Sequence, residues 1–256
     1  MTWKIKQLAK PKLNKIVLIE GLPGVGNVGK IALDFIINNL KAKKLFQIYS
    51  YSFPHSVFIN EENLVELPVI EIYYKNMKGK SFLFLTGDIQ PLDEESCYEF
   101  CDQILDIFQK FKGKEIITLG GIALQKVPKL PKIFYTANKK EMISKYKVKG
   151  INNNLFGVVG PIIGVSGLLL GLAGQREISA VSFLAETFAH PTYLGVKGAK
   201  EIVKTLNKLF NFKLDTKQLG KEVSPVEKEI KSKVKELEKV SKQIKQYNTK
   251  DTNYIG

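Results

Sequence analysis

The densest group of residues able to do chemistry is the run Gly21-Leu22-Pro23-Gly24-Val25-Gly26-Asn27-Val28-Gly29-Lys30. It follows a short apolar segment and opens a helical pattern, and it matches two nucleotide-binding patterns incompletely. As a dinucleotide fingerprint, Gly24-x-Gly26-x-x-Gly29 needs an acidic residue for the ribose about twenty residues further on, and Gln47 to Tyr51 supplies none. As a phosphate loop, Gly24-x-x-x-x-Gly29-Lys30 has the cradle and the lysine, yet Ile31 stands where a hydroxyl should hold magnesium. Two uses of the run stay open. The glycines can serve a positive-φ turn and close helix packing, or Gly24, Gly26, Asn27, Gly29 and Lys30 can form an anion site at a helix N-terminus. Asp88, in Thr86-Gly87-Asp88-Ile89-Gln90-Pro91 at the end of a strand, is a second candidate, as ligand, base or ordinary turn residue.

The remaining chemistry-bearing residues do not assemble into a catalytic set. His190 follows Glu186 by four, the spacing of an acid–base pair on a helix, but Pro191 and the apolar strand before it point to a loop. Ser166 in Gly164-Val165-Ser166-Gly167 lacks the spacing of a nucleophile elbow. Cys97 and Cys101 lie one helical turn apart, which is wrong for a redox pair and suits two reduced thiols packed on one face. With only His55 and His190 besides, a tetrahedral zinc site is hard to build, so no metal or cofactor is expected.

Composition narrows the class. A chain of 256 residues with 44% hydrophobic and 25% charged residues can bury a sizeable core, which sets disorder aside. The net charge of +14 suggests nucleic acid at first sight, but Arg176 is the only arginine, so the planar fork that reads bases and clamps phosphates is almost absent. We expect a lysine-rich solvated surface and no nucleic-acid partner. Leu155 to Gly174 carries no charge for twenty residues, but it holds glycines at 157, 160, 164, 167, 171 and 174 and Pro161. A buried strand, a glycine turn and a short helix fit it better than a membrane span. The N-terminus alternates charged and apolar residues without a secretory apolar core, so a cytoplasmic location is expected.

The elements alternate. Strands are expected at Ile16 to Glu20, Phe46 to Tyr51, Leu64 to Tyr74 paired with Ser81 to Thr86, Glu115 to Leu119, Ile133 to Thr136 and Ala180 to Ala185. Helices are expected after Lys30, from an Asp93 cap to about Lys112, over Lys139 to Tyr146, Ser166 to Leu172 and Gly195 to Phe210. Such alternation, with one antiparallel pair, predicts a three-layer α/β/α sandwich with a mixed sheet of the phosphorylase or hydrolase kind. Residues 1–220 form its body. In residues 221–256, Val226, Ile230, Val234, Leu237, Val240, Ile244 and Tyr247 mark an amphipathic helix over Pro225 to Tyr247, which either packs on its own domain or pairs subunits. A polar tail from Thr249 to Gly256 follows.

Taken together, Gly21 to Lys30, Leu67-Pro68, Thr86 to Pro91, Thr118-Leu119-Gly120-Gly121 and Gly164 to Ala173 resemble, in this order, the PAC2 family of proteasome assembly chaperones in its archaeal form. The resemblance covers about Ile16 to Phe212. It implies a homo-oligomeric, non-enzymatic protein of proteasome assembly or activation, partnered by the core particle, its α-subunits or another assembly factor. Family members commonly end in a hydrophobic-Tyr-X tail that enters pockets between α-subunits. Here Tyr254 is third from the end, in Asn253-Tyr254-Ile255-Gly256. Tyr254, Ile255 and Gly256 are the expected partner contact, since an accessible Tyr-Ile-Gly has no packing role and its carboxylate can meet a lysine. The competing reading is a small-molecule-binding protein or enzyme using Gly24 to Lys30 and Asp88.

Overall fold

The structure is a computed structural model that describes residues 3–60, 62–91, 93–147, 150–155, 160–190 and 192–220. The amphipathic segment Pro225 to Tyr247 and the tail lie outside the described residues.

Alternating apolar strands bounded by glycine, proline and asparagine build one eight-stranded sheet. In chain order its strands are β1 (Trp3–Gln7), β2 (Val17–Glu20), β3 (Lys43–Ser50), β6 (Ile70–Met77), β7 (Lys80–Gly87), β8 (Glu115–Leu124), β9 (Ile133–Ala137) and β10 (Ser179–Phe188). Two short strands, β4 (Phe58–Ile59) and β5 (Val65–Glu66), pair as a separate hairpin between β3 and β6. The spatial order is β1-β3-β6-β7-β2-β8-β10-β9. The middle four, β7, β2, β8 and β10, are parallel, while β6, β3 and β1 on one side and β9 on the other join antiparallel. The expected mixed sheet is therefore present.

The central strands are apolar on both faces, as strands covered twice must be. Val17, Ile19, Ile117, Leu119, Val181 and Phe183 face one core, with helices α1 (Val28–Leu40) and α5 (Val196–Phe210) over it. Ile16, Leu18, Ile116 and Ala180 face the other, under α2 (Glu94–Lys110) and α4 (Val165–Gln175). The short helix α3 (Lys140–Lys145) adds Met142 to the first core. This is the three-layer sandwich read from the sequence. Asp93 caps α2 as expected, accepting a hydrogen bond from the Ser96 amide at 2.8 Å.

Four differences from the sequence reading have physical causes. Trp3 to Gln7 forms an edge strand, its Trp3 ring packed against Phe53 and Phe100. The single strand expected over Leu64 to Tyr74 is broken at Pro68, whose missing amide interrupts the ladder, so that Val65–Glu66 joins the hairpin and the sheet strand begins at Ile70. Strand β8 continues through Gly120-Gly121 to Leu124, because it pairs with β10 along the whole of that length. Residues 160–164 are irregular rather than a strand, and the rest of the strand expected before the glycine turn falls partly outside the described residues. Among the described residues no helix is long and apolar enough to cross a membrane.

Candidate functional site

In an open parallel sheet, ligands and partners meet the loops at the carboxyl ends of the strands. At that end a cleft of about 340 Å³ opens between the Leu22–Val25 turn, the ends of β8 and β10, and the segment leading into α4. Its wall is mostly aliphatic side chains and backbone, including Leu22, Val25, Ile122, Ile163 and Leu184. Few polar side chains reach it.

The two that do, Gln90 and Ser166, are structural ties, Ser166 through the buried Glu20. Glu20, the last residue of β2, is fully buried. Its carboxylate accepts from the Leu22 amide at 2.9 Å and from the Ser166 hydroxyl at 2.8 Å. Burial raises its pKa to about 7, with the Leu22 amide, Ser166 and the Leu119 backbone pulling the other way. One carboxyl thus joins β2, the glycine turn and the first turn of α4. Gln90 makes a second tie, donating to the Pro23 carbonyl at 2.9 Å and accepting from the Val165 amide at 3.3 Å. It lies against Gly164, whose φ of +82° turns the chain into α4; a Cβ there would sit 2.6 Å from the Gln90 carbonyl oxygen.

The sequence candidates are distributed around this cleft rather than converging in it. Gly24 and Gly29 line it; Gly26 and Asn27 line a neighbouring shallow depression with His190 and Tyr193. Gly29 is where α1 touches β8, since a Cβ there would lie 2.4 Å from the Leu119 carbonyl oxygen. Lys30 points along its own helix to Asp34, 2.9 Å away. Asp88 accepts from the Val69 amide at 3.1 Å, while its own amide donates to the Val69 carbonyl at 3.0 Å, which closes the corner between β7 and β6. Glu186 belongs to β10 and accepts from the Lys132 amide, so it cannot form a helical pair with His190. The imidazole of His190 sits 2.8 Å from the Thr192 hydroxyl. Cys97 and Cys101 are buried and unbridged on α2. Among the described residues no cluster of His, Cys, Asp or Glu is arranged to hold a metal.

Glu20 and Gln90 were not singled out by sequence reasoning. A signal existed for the first, because a glutamate closing an otherwise apolar strand must find partners or stay protonated. Nothing local marked Gln90; its partners are 67 and 75 residues away.

Fold and site together define a three-layer α/β protein whose cleft is lined, among the described residues, mainly by aliphatic side chains and backbone. The sequence profile of the PAC2 family matches residues 18–234, and the chain belongs to that family. It is 31% identical to Pyrococcus furiosus PbaB, described as an archaeal proteasome activator, over 91% of this chain and 99% of that one, with a TM-score of 0.81. Pyrococcus furiosus PbaA, described as an archaeal homolog of proteasome-assembly chaperone, shares the fold at 23% identity, with a TM-score of 0.74 over 98% of this chain and 100% of that one. An uncharacterized protein of Methanocaldococcus jannaschii is 28% identical over 100% of this chain and 97% of its own length.

Proposed function

We propose that the chain is a non-enzymatic proteasome-associated factor, an assembly chaperone or activator, that works as a homo-oligomer. The observation that carries this reading is the similarity to the proteasome activator PbaB along nearly the whole length of both chains. The cleft supports it, because the polar side chains that line it, Gln90 and Ser166, are engaged in holding elements together. The partner is the proteasome core particle, its α-subunits or another assembly factor, contacted through Tyr254, Ile255 and Gly256. Residues 1–220 act as the body and 221–256 as the section that reaches the partner. The competing use of Gly24, Gly26, Asn27, Gly29, Lys30 and Asp88 as a ligand loop has less in its favour, since Lys30 and Asp88 are engaged with Asp34 and Val69.

The test is light scattering after size exclusion, with the chain alone and mixed with archaeal proteasome core particles, comparing the full chain with one ending at Asn248. A defined oligomer that co-elutes only when the tail is present supports the reading in full. Co-elution that survives tail removal shifts the contact to Pro225 to Tyr247 or the body. Absence of co-elution in both defeats the proteasome partnership.

A further inference from the structure

The carboxyl end of the sheet bears two exposed apolar projections of opposite charge. The first is the β4–β5 hairpin, which leaves the end of β3 and returns at the start of β6. It exposes Val57, Phe58, Ile59, Leu64, Val65 and Leu67, with Ile59 and Val65 71% and 69% exposed. A two-stranded hairpin is at best marginal in water by itself, and so many uncovered apolar side chains on one mark an interaction surface. Its described charged residues are Glu62 and Glu66, both exposed, with His55 at its base. In a chain of net charge +14, that is a local reversal of sign.

The second projection is the 125–132 segment joining β8 to β9. It exposes Val127 and Leu130, the latter 87% exposed, amid Lys126, Lys129 and Lys132. Glu186 beside it is occupied by the Lys132 amide. Among the described residues, none of these three lysines and neither Glu62 nor Glu66 forms an ion pair. Both projections stand at the same end of the sheet, because β3 ends, β6 begins and β8 ends there.

They lie on opposite flanks of the sheet. In the order β1-β3-β6-β7-β2-β8-β10-β9, the hairpin belongs to β3 and β6, and the lysine segment to β8 and β9. Three to six strand spacings separate them, roughly 15 to 30 Å. Within one copy neither can cover the other. Between copies they match in apolar character and in sign.

We infer that the acidic apolar hairpin of one copy docks on the basic apolar 125–132 segment of a second copy. A contact between these unlike patches sets opposite charges together, either reciprocally about a twofold axis or head to tail from copy to copy. The inference rests on the homo-oligomer reading above and adds which surfaces make the contact.

Two double variants test it, Glu62→Lys with Glu66→Lys and Lys126→Glu with Lys129→Glu. All four positions are exposed, so circular dichroism and a cooperative thermal transition should be retained and confirm folding, the melting temperature falling only by what association contributes. Each variant alone should fall from the oligomer mass to that of a single chain, 28.8 kDa. Mixed in equal amounts, the two should associate to at least the mass of a pair, because each reversed patch then meets its complement on the other variant. An unaltered oligomer mass in both variants overturns this contact while leaving the homo-oligomer reading standing. Failure of the mixture to reassociate overturns it as well. An unaltered chain that is itself monomeric overturns both.

Discussion

Glu20 is where a single residue governs a measurable property of the whole. Its pKa rises from an unfolded value near 4.5 to about 7 on burial, so between these values the folded chain binds the proton that the unfolded chain has released. Stability must therefore fall as pH rises through that window, and above it the full penalty applies, about 3 kcal/mol. Glu20→Gln keeps an acceptor for the Leu22 amide and cannot ionise. It should be close to the unaltered chain at pH 5 and more stable at pH 8 by up to about 3 kcal/mol, read from urea melts at the two values. A pH slope unchanged by the substitution would show that Glu20 is not the titrating group. Gly29 gives a second test at this scale. Gly→Ala inside a helix ordinarily stabilises by about 1 kcal/mol, but here the new Cβ would meet the Leu119 carbonyl oxygen at 2.4 Å. Gly29→Ala should destabilise by about 1–3 kcal/mol, while Gly24→Ala, with open space around its Cβ, should be nearly neutral in thermal melts. The reverse order would mean that the turn is not held by α1 packing on β8.

At the scale of elements, the one arginine acts as a clamp. Arg176 closes α4 and reaches Asp102 and Asp106, one turn apart on α2, at 2.6 Å each, with Gln109 at 3.1 Å. The carboxylates are about half exposed, so Arg176→Ala should cost only about 1 kcal/mol, and a double-mutant cycle with Asp106→Asn should recover part of that as coupling. Zero coupling would reduce the clamp to packing of the arginine stem. The elements most legible in the sequence were those with long apolar periods, namely α2, α5 and the parallel strands, because burial on both faces leaves continuous Val, Ile and Leu. Less legible was whatever depends on distant chain. Trp3 to Gln7 alternates apolar and charged residues as an edge strand does, yet only pairing with Phe46 to Ser50 makes it one. The extension of β10 to Phe188, which takes Glu186 into the sheet, likewise follows from the length of β8 beside it. The site was legible as a glycine turn, whereas the ties of Glu20 and Gln90 to α4 join parts of the chain up to 146 residues apart and leave no local pattern.

The whole molecule is polar in its layout, and this separates the proposed tasks. Helix α5 starts at the cleft end, where the Gly195 amide donates to the Gly26 carbonyl at 2.7 Å, and finishes at the opposite end, where the rings of Phe210 and Phe212 meet Phe82 near the start of β7. Lys78 donates there to the Asn211 carbonyl. Residues 210–212 therefore lie at the end of the sheet away from the hairpin and the lysine segment. Phe212 and Leu219 are buried in the core under α1 and α5, so the body needs residues 211–220. A chain ending at Gly220 should melt within a few degrees of the full chain. One ending at Phe210 loses the burial of two side chains, about 4 kcal/mol, and should melt roughly 8–16 °C lower. If the docking surfaces lie at the hairpin end, the chain ending at Gly220 should also retain the full oligomer number while losing its hold on the proteasome. A monomeric chain at that length would instead assign subunit pairing to Pro225 to Tyr247, since nothing in the body would then be sufficient to hold copies together.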